Sequence, residues 1–272
     1  MPFESRDYNY NLPKDSIKQV PYKDPGISKL LIAESKEIIQ FKNLSSILKK
    51  PSLFIMNKSE VQNVRIKSLK STGGSIEVFI LEIKSKYIAK CLVKSNDKKN
   101  INKKYVLKDF IFEIIDILDD TFVIKFNKPV IEIIDIYGKT PLPPYIEDDE
   151  TKYKYYNNQF ANGGFSVASP TAGLHFTNNQ INNLINEGHK FIYINLDVNI
   201  DTFKPITERY LENHKIHEEN YQINERDFES ILEAKESEID IYCVGTTSLR
   251  AIETAFLTGK LSGSTDYFIY PD

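Results

Sequence analysis

An α/β domain with a parallel sheet, carrying an inserted small β-barrel domain, is the fold class that this sequence predicts. Three observations predict it. Residues 61–136 hold run after run of Ile, Val, Phe and Tyr, many alternating with polar residues, with close turn signals and no helical period. From about residue 165 onward, strand-like and helix-like runs alternate, the pattern of a parallel sheet with covering helices. Between the two regions lie Lys139-Thr-Pro-Leu-Pro-Pro144 and an acidic run at 147–150, a linker by composition.

Taken in order, the barrel strands are expected at 61–70, 75–84, 87–94, 105–115, 121–126 and 130–136. Thr72-Gly-Gly74, the polar stretch 95–104 and Asp119-Asp120 mark turns between them. Thr177-Asn-Asn-Gln180 reads as a capping box that opens a helix burying Ile181, Leu184 and Ile185, with Gly188 able to end it. A strand is expected at 191–198. A helix follows at 224–235 with Phe228, Ile231 and Leu232 on one face, then a strand at 239–244. Gly245-Thr-Thr-Ser248 is expected to be a loop, and 249–257 a helix with Gly259 behind it. The segment before Asn57 joins the α/β part, so that domain is residues 1–57 and 148–272, and the barrel is 58–147.

Composition bounds the function. The chain has 272 residues, 41% apolar and 27% charged, which is ordinary globular usage and excludes a disordered or fibrous protein. The N-terminal residues lack the basic-then-apolar pattern of a secretory signal, and no apolar run approaches membrane-spanning length. Cys91 and Cys243 lie far apart in apolar runs, as small buried hydrophobes do, so the expectation is a reducing cytoplasm. Net charge is −3, yet residues 41–110 hold sixteen Lys/Arg against five Asp/Glu, and the rest nineteen against thirty-three. A polyanion partner at the basic half and a merely solvated Lys-rich surface explain that imbalance equally well.

Three stretches carry chemistry. In Val167-Ala-Ser-Pro-Thr-Ala-Gly-Leu-His-Phe176, small residues precede a capped helix, as where a backbone approaches a ligand, and His175 at its mouth suits proton transfer. A lone His beside a helix start is more often a satisfied structural residue. Val244-Gly-Thr-Thr-Ser-Leu-Arg250 is a strand-to-helix turn whose hydroxyls and amides could hold a carboxylate, a phosphate or ribose, or could be an ordinary cap. His214-Lys-Ile-His-Glu218 packs two imidazoles and a carboxylate into five residues, with no third metal ligand paired to them.

With Asp7-Tyr-Asn-Tyr-Asn-Leu-Pro13, Ser71-Thr-Gly-Gly-Ser-Ile-Glu-Val78, Pro141-Leu-Pro-Pro-Tyr-Ile146 and Asp266-Tyr-Phe-Ile-Tyr-Pro271, these strings resemble in order and spacing the S-adenosylmethionine:tRNA ribosyltransferase-isomerase family of queuosine biosynthesis. The resemblance implies an α/β domain with a β-barrel domain. It also implies transfer and isomerisation of the ribosyl part of S-adenosylmethionine onto 7-aminomethyl-7-deazaguanine at the tRNA wobble position. Adenine and methionine would leave. S-adenosylmethionine would be a co-substrate, with no prosthetic group or metal, and tRNA the partner of the basic region 41–110. Carried over by motif, His175, His214 and His217 are candidates for proton transfer, and Glu218 for orientation or sulfonium contact. Pro170, Thr171, Ala172, Gly173, Thr202, Phe203, Gly245, Thr246, Thr247, Ser248, Arg250, Arg65 and Asp266 are candidates for substrate binding.

The sequence also departs from that pattern. The family's Asn-Asn-Thr-Arg-Val reads Asn57-Lys-Ser-Glu-Val61, its His-Val-Gly-x-Gly-Thr-Phe reads Asp197-Val-Asn-Ile-Asp-Thr-Phe203, and an early His is Val20. The family pattern also continues past Pro271-Asp272. From these differences a C-terminally shortened chain is expected, monomeric like the family or self-associating. Two functions stay open: the transferase, and a paralogue that binds tRNA or nucleotide without transferring.

Overall fold

The structure, a computed structural model, describes residues 3–199 and 205–271. Its internal contacts divide the chain into one unit of Met1–Val61 with Leu142–Asp272 and a second of Gln62–Pro141. In chain order, the first unit opens with a hairpin, β1 (Lys29–Ile32) and β2 (Glu37–Gln40), and then β3 (Leu53–Asn57). The second unit contributes β4 (Arg65–Leu69), β5 (Ser75–Ser85), β6 (Ile88–Lys94), β7 (Lys104–Val106), β8 (Ile111–Leu118), β9 (Thr121–Phe126), α1 (Val130–Tyr137) and β10 (Gly138–Lys139). The first unit resumes with α2 (Asn178–Asn186), β11 (Lys190–Leu196), β12 (Glu219–Gln222), α3 (Glu225–Glu236), β13 (Ile241–Val244), α4 (Thr246–Thr258) and β14 (Ser262–Thr265).

The first unit is layered around the sheet β13-β3-β11-β12-β14. All five residues of β3 are buried, as a central strand covered on both faces requires. Leu53 and Ile55 pack with Ile192, Ile194 and Leu196 against Ile231 of α3 and Ile252 of α4. Phe54 and Met56 face the other way, against Ile181 and Leu184 of α2 and against Phe41. Thr177 and Gln180 form the reciprocal capping box at the start of α2. Ile185 and Leu232, expected on buried faces, are 48% and 38% exposed.

The sheet is mixed rather than parallel. β13, β3 and β11 run parallel, but β12 is antiparallel to both β11 and β14. A parallel neighbour needs a crossover, usually a helix, and no α-helix lies between β11 and β12 among the described residues. Gly245–Ser248 is also not the expected loop, since α4 begins at Thr246.

The second unit is a seven-stranded antiparallel sheet, ordered β10-β4-β5-β6-β9-β8-β7. Register shifts in β5 and β8 curl it, as bulges do. It curls until the ends of β4 and β7 meet at one bridge, Lys70 with Leu107, so closure is by a single contact rather than a full ladder. Ile66, Val78, Ile80, Cys91, Phe112, Ile114 and Ile124 fill its interior. Two expectations fail here. The run 105–115 is two strands, folded back where the Leu107 N–H meets the Phe110 carbonyl at 3.0 Å. The run 130–136 is the helix α1, because Val130, Ile133 and Ile134 are buried at helical spacing while Ile131 and Ile136 are 55% and 58% exposed.

Candidate active site

The three parallel strands end together at Asn57, Leu196 and Val244, and the carboxyl edge of such strands is where α/β sheets bind ligands. Asn57, a polar residue closing an apolar strand, ties this edge together. Its Nδ2 donates to the Leu196 carbonyl at 2.8 Å and to Thr247 Oγ1 at 3.3 Å, while its Oδ1 accepts from the Leu196 and Ser59 amides. Thr247 and Ser248 are buried, and Ser248 Oγ donates to the Val244 carbonyl at 2.9 Å. Of the three hydroxyl residues in this turn, only Thr246 is exposed.

Gly245, immediately before α4, has φ 87° and ψ 159°, a region nearly restricted to glycine. A Cβ placed there would lie 3.0 Å from the Ala172 Cβ. Two motifs more than seventy residues apart in sequence therefore touch at this edge. Ala172 belongs to a 3₁₀ turn, Thr171–His175, preceded by Pro170. Buried Asn158 donates from Nδ2 to the Pro170 carbonyl at 3.2 Å and packs against Gly173, where a Cβ would come within 2.8 Å of its Oδ1. Asn158 Oδ1 and Ser169 Oγ are buried with no hydrogen-bond partner among the described residues. His175 closes the turn with its ring 5.4 Å from that of Phe41, and burial of the imidazole pulls its pKa below the ordinary value of 6.5 although the residue keeps an exposed edge. That direction favours the neutral, proton-accepting form of the ring.

Beside β11, Asp197 Oδ1 accepts from Ser59 Oγ at 2.6 Å and from the Phe165 amide at 2.8 Å. Glu219, buried at the start of β12, takes the Asn199 amide at 2.8 Å on one oxygen and Arg250 Nη1 on the other. Burial pushes the Glu219 carboxyl up, against the pull of Arg250 and of the Asn199 amide. Arg250 thus spends its guanidinium on an internal ion pair between α4 and β12.

The remaining candidates are placed as follows. His214 Nδ1 lies 2.7 Å from Glu208 Oε2, and its ring meets Phe268 edge-on at 4.9 Å. His214 holds the Glu208 carboxyl below its usual range. Glu218 accepts from Ser264 Oγ at 3.0 Å, and His217 and Asp266 are exposed nearby in sequence to that β12–β14 pairing. No hydrogen bond or ring contact among the described residues joins His175 to His214. Arg65 lies in β4 of the second unit, 3.2 Å from Glu77. Thr202 and Phe203 lie outside the described residues. Among the described residues no group of three or more His, Cys, Asp and Glu is arranged to hold a metal ion. Burial raises both thiols, Cys243 to about 11.

Comparison with known proteins gives the family of the chain. Residues 5–272 match the family described as queuosine biosynthesis protein. The S-adenosylmethionine:tRNA ribosyltransferase-isomerase of Sulfurihydrogenibium sp. (strain YO3AOP1) is 36% identical over 97% of this chain and 82% of its own. The enzyme of the same name from Clostridioides difficile (strain 630) is 33% identical over 98% and 83%. A crystal structure of S-adenosylmethionine tRNA ribosyltransferase from Thermotoga maritima is 26% identical, with TM-score 0.46, over 97% of this chain and 79% of that one. No helix among the described residues is long and apolar enough to cross a membrane. By the family match over residues 5–272 and the identity to these two relatives over nearly the whole chain, the chain belongs to the S-adenosylmethionine:tRNA ribosyltransferase-isomerase family of queuosine biosynthesis.

Proposed function

We propose that this protein transfers and isomerises the ribosyl part of S-adenosylmethionine onto 7-aminomethyl-7-deazaguanine in the tRNA wobble position. The products are epoxyqueuosine-tRNA, adenine and methionine. Family membership supports the reaction, and one observation carries the site: the Pro170–Gly173 segment and the Gly245 turn meet at the carboxyl edge, Ala172 against Gly245. The reaction needs a base for the proton beside the sulfonium and an acid for departing adenine. His175, whose neutral form burial favours, suits the base. His214, oriented by Glu208, and His217 are the further proton-transfer candidates, with Glu218 beside them. Thr246 and the amides that open α4 supply donors for ribose or carboxylate.

In this reading the mixed-sheet unit is the catalytic α/β domain, the curled antiparallel unit is an inserted β-barrel, and the protein works in the cytoplasm. Incubation with S-adenosylmethionine and tRNA bearing the 7-aminomethyl base tests it. Adenine release with epoxyqueuosine in the tRNA is expected. Retention of tRNA without adenine release overturns the transferase in favour of a binding paralogue.

A further inference from the structure

We propose that the carboxylate of Asp197 receives the positively charged sulfonium of S-adenosylmethionine at the carboxyl edge of the sheet. The proposal rests on the transferase reading above and adds a substrate contact to it. Asp197 is the first residue past β11, and its amide donates to the Asn220 carbonyl of β12 at 2.8 Å. Ser59 is the second residue past β3, and its amide donates to the Asn57 side chain that also binds Thr247 of α4. The carboxylate therefore stands where the ends of β3 and β11 and the start of α4 are tied together.

One oxygen of Asp197 is fixed by a directed chain of hydrogen bonds. The Val198 amide donates to Ser166 Oγ at 2.9 Å, Ser166 Oγ donates to Ser59 Oγ at 2.9 Å, and Ser59 Oγ donates to Asp197 Oδ1 at 2.6 Å. The Phe165 amide donates to the same oxygen at 2.8 Å. Donors aligned in one direction polarise one another, and this chain ends on Oδ1. Ser59 and Ser166 are fully buried, and the backbone at Gly164 passes so close that a Cβ there would lie 2.6 Å from Oδ1. That end of the carboxylate is dry and held still. Oδ2 has no partner among the described residues, and Asp197 as a whole is half-buried.

The neighbouring acids of β12 are placed differently. Glu219 is buried against Arg250, and Glu218 is an exposed side chain held by one hydroxyl, that of Ser264. A sulfonium carries a fixed charge and has no N–H to donate. It gains nothing from an array of hydrogen-bond acceptors, and a charge held in place on a partly dry edge is the partner that suits it. An ammonium, with three donors, calls for more acceptors than one open oxygen offers. The family pattern has His at this position, so the open carboxylate is a feature of this chain.

The test compares the parent with Asp197→Asn, which keeps an oxygen for Ser59 and Phe165 and replaces the open oxygen by an uncharged amide. Both are melted first to show that they fold alike. Adenine release at saturating tRNA bearing the 7-aminomethyl base gives the KM for S-adenosylmethionine. The same assay gives the inhibition constant of S-adenosylhomocysteine, which lacks the methyl group and the charge. The variant is expected to raise that KM roughly tenfold or more and to leave the inhibition constant within about twofold. If its turnover is too slow to follow, calorimetric binding of both ligands with tRNA present makes the same comparison. Equal losses for both ligands, or no loss for either, overturn the sulfonium contact. A parent that binds S-adenosylhomocysteine as tightly as S-adenosylmethionine overturns it without any variant. A parent that releases no adenine overturns the transferase reading, and the contact with it.

Discussion

Replacing Gly245 by Ala tests whether contact between the two motif loops matters to turnover. The residue sits at φ 87° and ψ 159°, where a side chain costs about 1–3 kcal/mol. The new methyl would also lie 3.0 Å from the Ala172 Cβ, so the turn carrying His175 must retreat by a few tenths of an ångström. At about 2–4 °C per kcal/mol, the strain alone lowers Tm by about 2–12 °C. Small displacements of positioned groups are costly in rate, so adenine release is expected to fall roughly tenfold or more. Gly259→Ala is the matched control, with φ 68° just past the end of α4 and nothing within 4 Å of the added methyl. It should cost about 1–2 kcal/mol of stability and leave turnover unchanged. Calorimetric melting and adenine release, measured on all three proteins, decide the matter. Equal losses of turnover in both variants would show that stability, not the juxtaposition of the loops, sets the rate.

Three further outcomes follow from single contacts. His175→Ala should lower turnover about 10²–10⁴-fold. Because burial lowers the His175 pKa, the neutral base persists as pH falls through 6.5, so the acid limb of kcat should lie below that value and vanish in the variant; a parental limb centred above 6.5 would count against this base. Glu219→Ala leaves the Arg250 guanidinium without its buried partner and should cost about 3–5 kcal/mol in urea unfolding, and a loss under about 1 kcal/mol would show that water already screens the pair. Thr177→Ala removes the hydroxyl that accepts the Gln180 amide at 3.2 Å and should cost about 1 kcal/mol with turnover retained, as measured by melting and adenine release.

The elements that were legible in the sequence are those whose pattern comes from one strong local cause. The capping box at Thr177 and the apolar run of β11 announce themselves without tertiary help. The run 130–137 misleads because five of its eight residues are Val or Ile, which favour strands. Its deciding signal was the spacing of Val130, Ile133 and Ile134 directly after Pro129, and that spacing wins because it places the buried residues on one face. The mixed character of the sheet was not legible for a different reason. β12 and β14 are four-residue strands, ENYQ and SGST, in which Tyr221 is the single large apolar side chain, and pairing rather than propensity makes them strands.

For the site, two of the motifs meet, Ala172 against Gly245, but the sequence does not say which side chains remain available there. Thr247, Ser248 and Arg250 stand in one motif with Thr246, yet Asn57, the Val244 carbonyl and Glu219 engage the first three. Their engaging partners Asn57 and Glu219 lie 190 and 31 residues away in sequence, so no local pattern could have exposed the pairing. Asn57 carried a faint signal all the same. A lone amide closing a strand whose every residue is buried must satisfy up to four hydrogen-bonding valences inside the protein. It does so by binding Ser59, Leu196 and Thr247, and it thereby fixes the ends of β3 and β11 and the start of α4 relative to one another. A motif of this kind records which residues must stay together. Which of them meets the substrate is settled by where the long-range hydrogen bonds have already been spent.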